Sequence, residues 1–313
     1  MSTQLPWWRK RIVWYRVAAI VIAVILLCSA LISANGQYGW FSGIPTWHTI
    51  YAACGFVKRT VPTDELHLTV LDVGDADCLL LQSGGEHLLI DAGNPYDGEY
   101  IVDALRAAGV ERLDHIIATH TDADHIGGMA AVIKAIGCER VWMPFAEAPD
   151  TWVYDDWRAT LKQYNVMPIC ATFGMTTTVG NARLTIISGV AGDNHRDGND
   201  GSLVCRVTFG KHAFLFMADV SVDVEKELLN SGIELTADVI KIAHHGSGDA
   251  SDPAFITAVD PTYAIITCDK DTSDGNPHIN TLKTLETVGV QVYRTDLHGE
   301  ITICSDGQTL SVI

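Results

Sequence analysis

No Cys-x-x-Cys pair occurs among the eight cysteines of this 313-residue chain, so a zinc knuckle is excluded. Most of the cysteines sit in apolar, strand-like runs, as Cys205 does in SLVCRVTF and Cys304 in ITICS, and read as small core residues. There is no internal repeat of fixed short period and no low-complexity tract, which excludes a solenoid. Basic charge is scarce: 21 Lys and Arg stand against 38 Asp and Glu, a net charge of −17. Four of the 21 lie in the first 34 residues, which carry no acid, so the remaining body is more acidic still. Such a body argues against tight, backbone-driven nucleic-acid binding. It leaves room for a nucleic-acid substrate if bound cations supply the local positive field.

Long apolar runs are equally scarce. One stands out, Val17 to Ala34 (VAAIVIAVILLCSALISA), at the short end of what spans a bilayer. Arg9, Lys10, Arg11 and Arg16 all precede it, which predicts a cytoplasmic amino end and an exported body. The competing reading is a cleaved signal peptide, but the apolar run is long for one and no A-x-A site follows. The expected organisation is a basic tail and single-pass membrane anchor over 1–34, a Gly- and aromatic-rich linker over 35–63, and one large domain over 64–313.

The densest chemistry lies in Thr119-His120-Thr121-Asp122-Ala123-Asp124-His125-Ile126-Gly127-Gly128, four potential metal ligands within six residues. A buried strand precedes it (LDHIIAT) and apolar residues at helical spacing follow, which places the ligands on a strand-to-helix turn. Open α/β sheets carry their sites at that edge. A capping Asp would explain one carboxylate but not two Asp and two His before Gly-Gly. Carboxylate and imidazole together suit hard or borderline divalent cations.

Strands come first in the chain, then alternating strand and helix, twice over. That order predicts an α/β fold of two mixed sheets stacked face to face with helices outside, a four-layer αββα sandwich. Further candidates sit at predicted strand ends. Asp219 follows FLFMA as a ligand or a helix cap. His244 and His245 open HHGS after VIKIA, with Ser247 beside them. His278 in GNPHIN is a general acid or a residue of a helix's first turn. Asp72, Asp75 and Asp77 share LDVGDADCLL, where turn chemistry competes with function. Asp91 in LLIDAG suits a carboxylate that orients a metal-bound histidine. Asn199 and Ser202 in NDGS hold a phosphate oxygen or make a turn.

In order, LDVGDADCLLL, LLIDAG, THTDADHIGG, GNDGSLV, FLFMADV, VIKIAHHGS, NPHIN and YRTDLHGEITI resemble the metallo-β-lactamase superfamily. Within it they are most similar to the hydrolase domain of ComEC-type DNA-uptake proteins, from about Glu65 to the carboxyl terminus. The resemblance implies two divalent metal ions, zinc or manganese. His120 and Asp122 would hold the first, Asp124 and His125 the second, and Asp219 would bridge them. His244 or His245 would close the site. Asp124 or Asp219 would orient the attacking hydroxide, His278 would protonate the leaving oxygen, and Asn199, Ser202 and Ser247 would meet substrate. The strand near Asn199 lacks the histidine of many superfamily members, and His195 lies in a polar loop close by. Asp75 replaces the usual glutamine of the first turn.

One predicted span does not build a DNA pore, so the resemblance carries over a hydrolase and not an uptake channel. The expected function is an anchored, extracytoplasmic phosphodiesterase or nuclease with single-stranded DNA as substrate, and no protein partner is expected. Another exported ester (a teichoic-acid phosphodiester, a lactone, a β-lactam) is the alternative within enzymes. A non-catalytic metal-binding domain is the alternative outside them.

Overall fold

The structure is a computed structural model and describes residues 21–33, 47, 61–145, 149–189, 198–270 and 275–313. Two compact units divide the chain, residues 1–58 and residues 59–313. In the first, residues 21–33 are helical and Trp47 donates from Nε1 to Ser33 Oγ at 2.9 Å. Among the described residues no helix is long and apolar enough to cross a membrane. The flanks of the predicted span, 17–20 and 34, lie outside the described residues, as do His195 and most of the predicted linker.

The second unit holds two sheets. The first sheet takes β1 (Leu66–Val70), β2 (Leu79–Ser83), β3 (Glu86–Ile90), β4 (Leu113–Ile117), β5 (Cys138–Met143) and β6 (Pro168–Cys170). The chain then builds the second sheet from β7 (Thr176–Val179), β8 (Ala182–Ile186), β9 (Cys205–Phe209), β10 (His212–Phe216), β11 (Val239–Lys241), β12 (Tyr263–Ile266) and β13 (Gln291–Arg294). It returns to the first with β14 (Ile301–Ser305) and β15 (Leu310–Val312). The strand orders are β15-β14-β1-β2-β3-β4-β5-β6 and β13-β12-β11-β10-β9-β8-β7. In each sheet an antiparallel half joins a parallel half, β3 to β6 in the first and β10 to β13 in the second.

Three apolar clusters define the layers. Leu68, Leu81 and Leu88 of the first sheet meet Leu184, Val207 and Phe214 of the second in one core between the sheets. A second cluster packs the helices Gly98–Ala107, Met129–Ala135 and Trp152–Gln163 on the first sheet, with Trp157 fully buried. A third packs Val222–Ser231, Pro253–Val259 and Ile279–Val288 on the second. The fold is therefore helices, sheet, sheet, helices, the predicted αββα sandwich. Cys78, Cys205 and Cys268 are buried in these clusters, as expected of small core residues.

β6 and β7 were not expected from the sequence. β6 is three residues opening on Pro168, and β7 (TTTV) is largely threonine and part-exposed at the sheet's end, so neither carries an apolar alternation. The NDGS segment makes a 3-10 turn over Gly198–Gly201, and the strand that follows it begins at Cys205.

Candidate metal centre

The parallel halves of both sheets direct their carboxyl ends to one place. Asp91 follows β3, His120 follows β4, Asp219 follows β10, His244 and His245 follow β11, and Thr267 follows β12. The His120–His125 turn breaks into the short helix Ala123–Ile126 and, after Gly127-Gly128, the helix Met129–Ala135. Those glycines are forced by close backbone approach. A Cβ on Gly127 would lie 2.3 Å from Asn94 C and Pro95 N, and one on Gly128 2.4 Å from Ala92 O. The contact pins the loop after Asp91 onto the turn, with Ala92 N donating to His125 O at 2.7 Å. On the facing sheet, His244 and His245 both adopt left-handed backbone (φ 49° and 51°). Such a conformation costs a non-glycine residue roughly 1–2 kcal/mol and turns the imidazoles sharply out of the strand line.

Asp124, His125, Asp219 and His245 form the tightest group, one donor atom from each lying within 4.8 Å of the others. Oδ2 of Asp219 sits at its middle, 3.3 Å from His125 Nε2 and 3.4 Å from His245 Nε2. Asp124 Oδ2 is 3.6 Å from His245 Nε2 and 3.7 Å from His125 Nε2. His120 adjoins the group, its ring centroid 4.0 Å from that of His125, and its Nε2 is 3.8 Å from Asp122 Oδ2. Asp122 precedes the short helix without capping it and is half-exposed. His244 stands further out: its Nε2 is 3.9 Å from Asp219 Oδ2, Asn199 Nδ2 lies 3.4 Å from the same nitrogen, and its Nδ1 is 3.3 Å from Asp249. Between the two adjacent histidines, His245 is the one inside the group.

Each inner imidazole is held by its other nitrogen. His125 Nδ1 donates to Asp91 Oδ2 at 2.8 Å. Asp91 also accepts from Thr119 N and Thr119 Oγ1, at 2.8 and 2.6 Å. With its proton committed to Asp91, Thr119 Oγ1 accepts from His120 Nδ1 at 3.1 Å. His245 Nδ1 donates to the carbonyl of Thr267 at 3.0 Å. The Nε2 atoms of His120, His125 and His245 are all buried and make no hydrogen bond. Fixed, orphaned Nε2 atoms facing two carboxylates are the donor set that a divalent cation requires.

Electrostatics agree. Burial disfavours an imidazolium, yet Asp219 and Asp91 outweigh it and raise His125 well above the ordinary histidine value. Burial is likewise outweighed at His245, where Asp124 and Asp219 push the pKa up to about 9. His120, set back beside His125, is driven down to about 3 by burial and by that neighbour. Asp219 and Asp124 stay ionised despite burial because of the same imidazoles, Asp124 down to about 2. Carboxylates that hold protons on two buried imidazoles would hold a cation in their place. A second acid-rich group, Asp77 with Asp91 and His125, differs: its carboxylates are already engaged by Lys241, Thr267 and Thr119.

The other sequence candidates fall around this centre. Ser202 is buried, its hydroxyl without a partner, and Leu203 N donates to Thr119 O at 2.8 Å. Ser247 is tied through its carbonyl to Thr281 Oγ1 at 2.9 Å. His278 is the N-cap of the helix Ile279–Val288, its Nδ1 accepting from Asn280 N at 3.2 Å. It lies against Gly248, beyond the donor group. Two residues of the centre were missed. Lys241 and Thr267 reach Asp77 from β11 and the end of β12, and the one hint was a lysine interrupting the apolar run VIKIA.

The metallo-beta-lactamase superfamily model matches residues 71–268. Competence protein ComA of Neisseria gonorrhoeae is 28% identical over 91% of this chain, and ComE operon protein 3 of Bacillus subtilis is 27% identical over 76% of it. The chain spans 38% and 33% of the length of those two relatives. The metallo-beta-lactamase fold protein YhfI of Bacillus subtilis superposes with a TM-score of 0.51 at 16% identity, over 77% of this chain and 100% of that one. The metallo hydrolase Igni18 of Ignicoccus hospitalis gives 0.50 at 15% identity, over 75% and 98%.

Proposed function

From the premise that this chain belongs to the metallo-beta-lactamase superfamily, as a relative of competence proteins with a metal-dependent hydrolase fold, we propose that it is a phosphodiesterase whose substrate is single-stranded DNA. The observation that carries the reading is the trio of buried, unpartnered Nε2 atoms of His120, His125 and His245, the last two 3.3 and 3.4 Å from Asp219 Oδ2. His125, His245, Asp124 and Asp219 would hold one divalent cation, zinc or manganese. His120 and Asp122 would hold a second, with Asp219 shared. Such cations acidify water and neutralise charge on a phosphoryl oxygen.

The chain's own residues do the positioning. Asp91 and Thr267 fix the ring planes of His125 and His245 and keep their Nε2 lone pairs directed inward. Asp124, about a third exposed, is the inner carboxylate that reaches solvent and can orient a water toward the ester. Asn199, whose Nδ2 lies 3.4 Å from His244 Nε2, would donate its other amide hydrogen to a phosphate oxygen. His278 uses Nδ1 for its capping bond, so proton delivery to a leaving oxygen would fall to its Nε2. The apolar run at Val17 to Ala34 with its basic flank supports an anchored protein with the body outside the membrane. Protease added to intact cells would then degrade the body, and protection of the body would contradict that placement.

The net charge of −17 favours a second reading, a smaller or cell-envelope ester in place of a long polyanion. Assaying the full chain with manganese and with zinc on bis-p-nitrophenyl phosphate and on single-stranded DNA separates the two. Cleavage of both supports the nuclease. Cleavage of the small diester alone moves the substrate to another exported phosphodiester. Cleavage of neither, with metal bound, rules out the phosphodiesterase.

A further inference from the structure

Lys241 is buried in the middle of an otherwise apolar strand, 1% exposed. Its Nζ lies 2.5 Å from Asp77 Oδ2 and 3.9 Å from Asp219 Oδ1. The ammonium therefore stands between a carboxylate outside the donor group and the carboxylate at its centre. Asp219 divides its two oxygens accordingly: Oδ2 faces the imidazoles, and Oδ1, which makes no hydrogen bond, faces Lys241.

The pair is anchored so that it cannot drift. Asp77 Oδ1 accepts from Thr267 Oγ1 at 2.6 Å, and the carbonyl of that threonine holds His245. The backbone of Asp77 donates to Asp124 O at 3.3 Å and accepts from Gly93 N at 2.8 Å. One residue thus touches the turn that carries Asp124 and the loop after Asp91 through its backbone, and β11 and the end of β12 through its carboxylate. Were the pair only glue between sheets, apolar side chains would do as well, since a buried ion pair rarely gains over hydrophobic packing. Its position beside Asp219 is what glue does not require.

We propose that Lys241 and Asp77 are a built-in charge pair that sets the cation affinity of the centre through Asp219. The proposal rests on the reading that the centre binds divalent cations and is independent of which ester is hydrolysed. Lys241 is a positioning residue: it draws Asp219 Oδ1 away from the donor group, leaves Oδ2 for the cation, and opposes excess positive charge. Asp77 offsets that opposition. The two residues, in contact with each other, therefore act on a bound cation with opposite sign.

Titration of the full-length chain with Mn2+ alone, by calorimetry, tests this in wild type, Asp77→Asn, Lys241→Met and the double variant, with circular dichroism as the check on folding. Asp77→Asn is expected to weaken Mn2+ binding about tenfold and Lys241→Met to tighten it about tenfold, with the double variant near wild type. A merely structural pair would weaken binding in both single variants. That result, or no change in either, overturns the proposal. If Lys241→Met fails to fold, the double variant is compared with Asp77→Asn, over which it must bind more tightly. Wild type that binds no Mn2+ overturns the metal reading along with this one, whereas wild type that binds, with both variants shifted the same way, overturns this one alone.

Discussion

Asp91 shows how much one side chain does at this centre. It is fully buried, has a left-handed backbone (φ 59°), and accepts from Thr119 N, Thr119 Oγ1 and His125 Nδ1. An asparagine there presents an NH2 to a donor, so Asp91→Asn is expected to raise the Mn2+ Kd about 10- to 100-fold by loosening His125. Calorimetry checks this, and an unchanged Kd would deny Asp91 its orienting role. Burial also separates two substitutions that the sequence alone treats alike. Asp122 is half-exposed and caps nothing, so Asp122→Ala is expected to abolish metal-dependent hydrolysis with a change in stability below about 0.5 kcal/mol. His125→Ala strands Asp91 without its imidazole and is expected to cost about 3–5 kcal/mol, read by denaturant titration. The cluster of His120, Asp122, Asp124 and His125 was legible because six consecutive residues carried it. Lys241 and Thr267 were not, and Asp77 was legible only as one of three carboxylates in LDVGDADCLL, because their meeting needs two sheets to be stacked first, and Lys241 taken alone is one polar interruption in an apolar strand.

Helices and loops behind the centre carry a pH dependence of their own. Glu225, buried in the helix Val222–Ser231, accepts from Ser251 N and Asp252 N, both at 2.8 Å, and so ties the loop after HHGS to the second helical layer. Burial, opposed by those two amides, pushes its pKa up to about 7 from 4.5. The folded state thus holds a proton that the unfolded state releases between those values. This contribution is fully present below pH 4.5 and is lost as pH rises through 7, on the order of 1–3 kcal/mol. Glu225→Gln is expected to flatten the fall in Tm between pH 4.5 and 7 measured in chelator, and an unchanged slope would contradict the assignment. The strand before THTDADHIGG and the helix after it were visible in the sequence, from the apolar run LDHIIAT and from apolar residues at helical spacing, and they stand at Leu113–Ile117 and Met129–Ala135. β6, β7 and the short helix Thr295–His298 were not, since each is too short for a period to show. Thr295 has a structural duty instead, its hydroxyl bonding Cys268 N and O at 2.9 and 3.0 Å.

At the scale of the molecule, the four layers exist to bring two sets of strand ends together, and neither sheet alone owns a complete donor group. His120, Asp124, His125 and Asp91 come from the first sheet, while Asp219, His245 and Thr267 come from the second. A cation bound between them would clamp the sandwich. At a free concentration of 100 Kd it would add about 2.7 kcal/mol to stability. Chelation is accordingly expected to lower Tm, and Asp219→Asn to abolish the metal-dependent part of that shift. The sandwich itself was legible as strands followed by alternating strand and helix, but the contribution of each sheet to the centre was not, because pairing order is a property of the assembled sheets.

The most direct test of the account is where a cation sits. Crystals of the protein grown with Mn2+ and measured at the manganese absorption edge would show this without reference to activity. Two anomalous peaks are expected, one among Asp124, His125 and His245, one beside His120 and Asp122, with Asp219 between them. Peaks at Asp77 and Asp91, or none among these histidines, would contradict it.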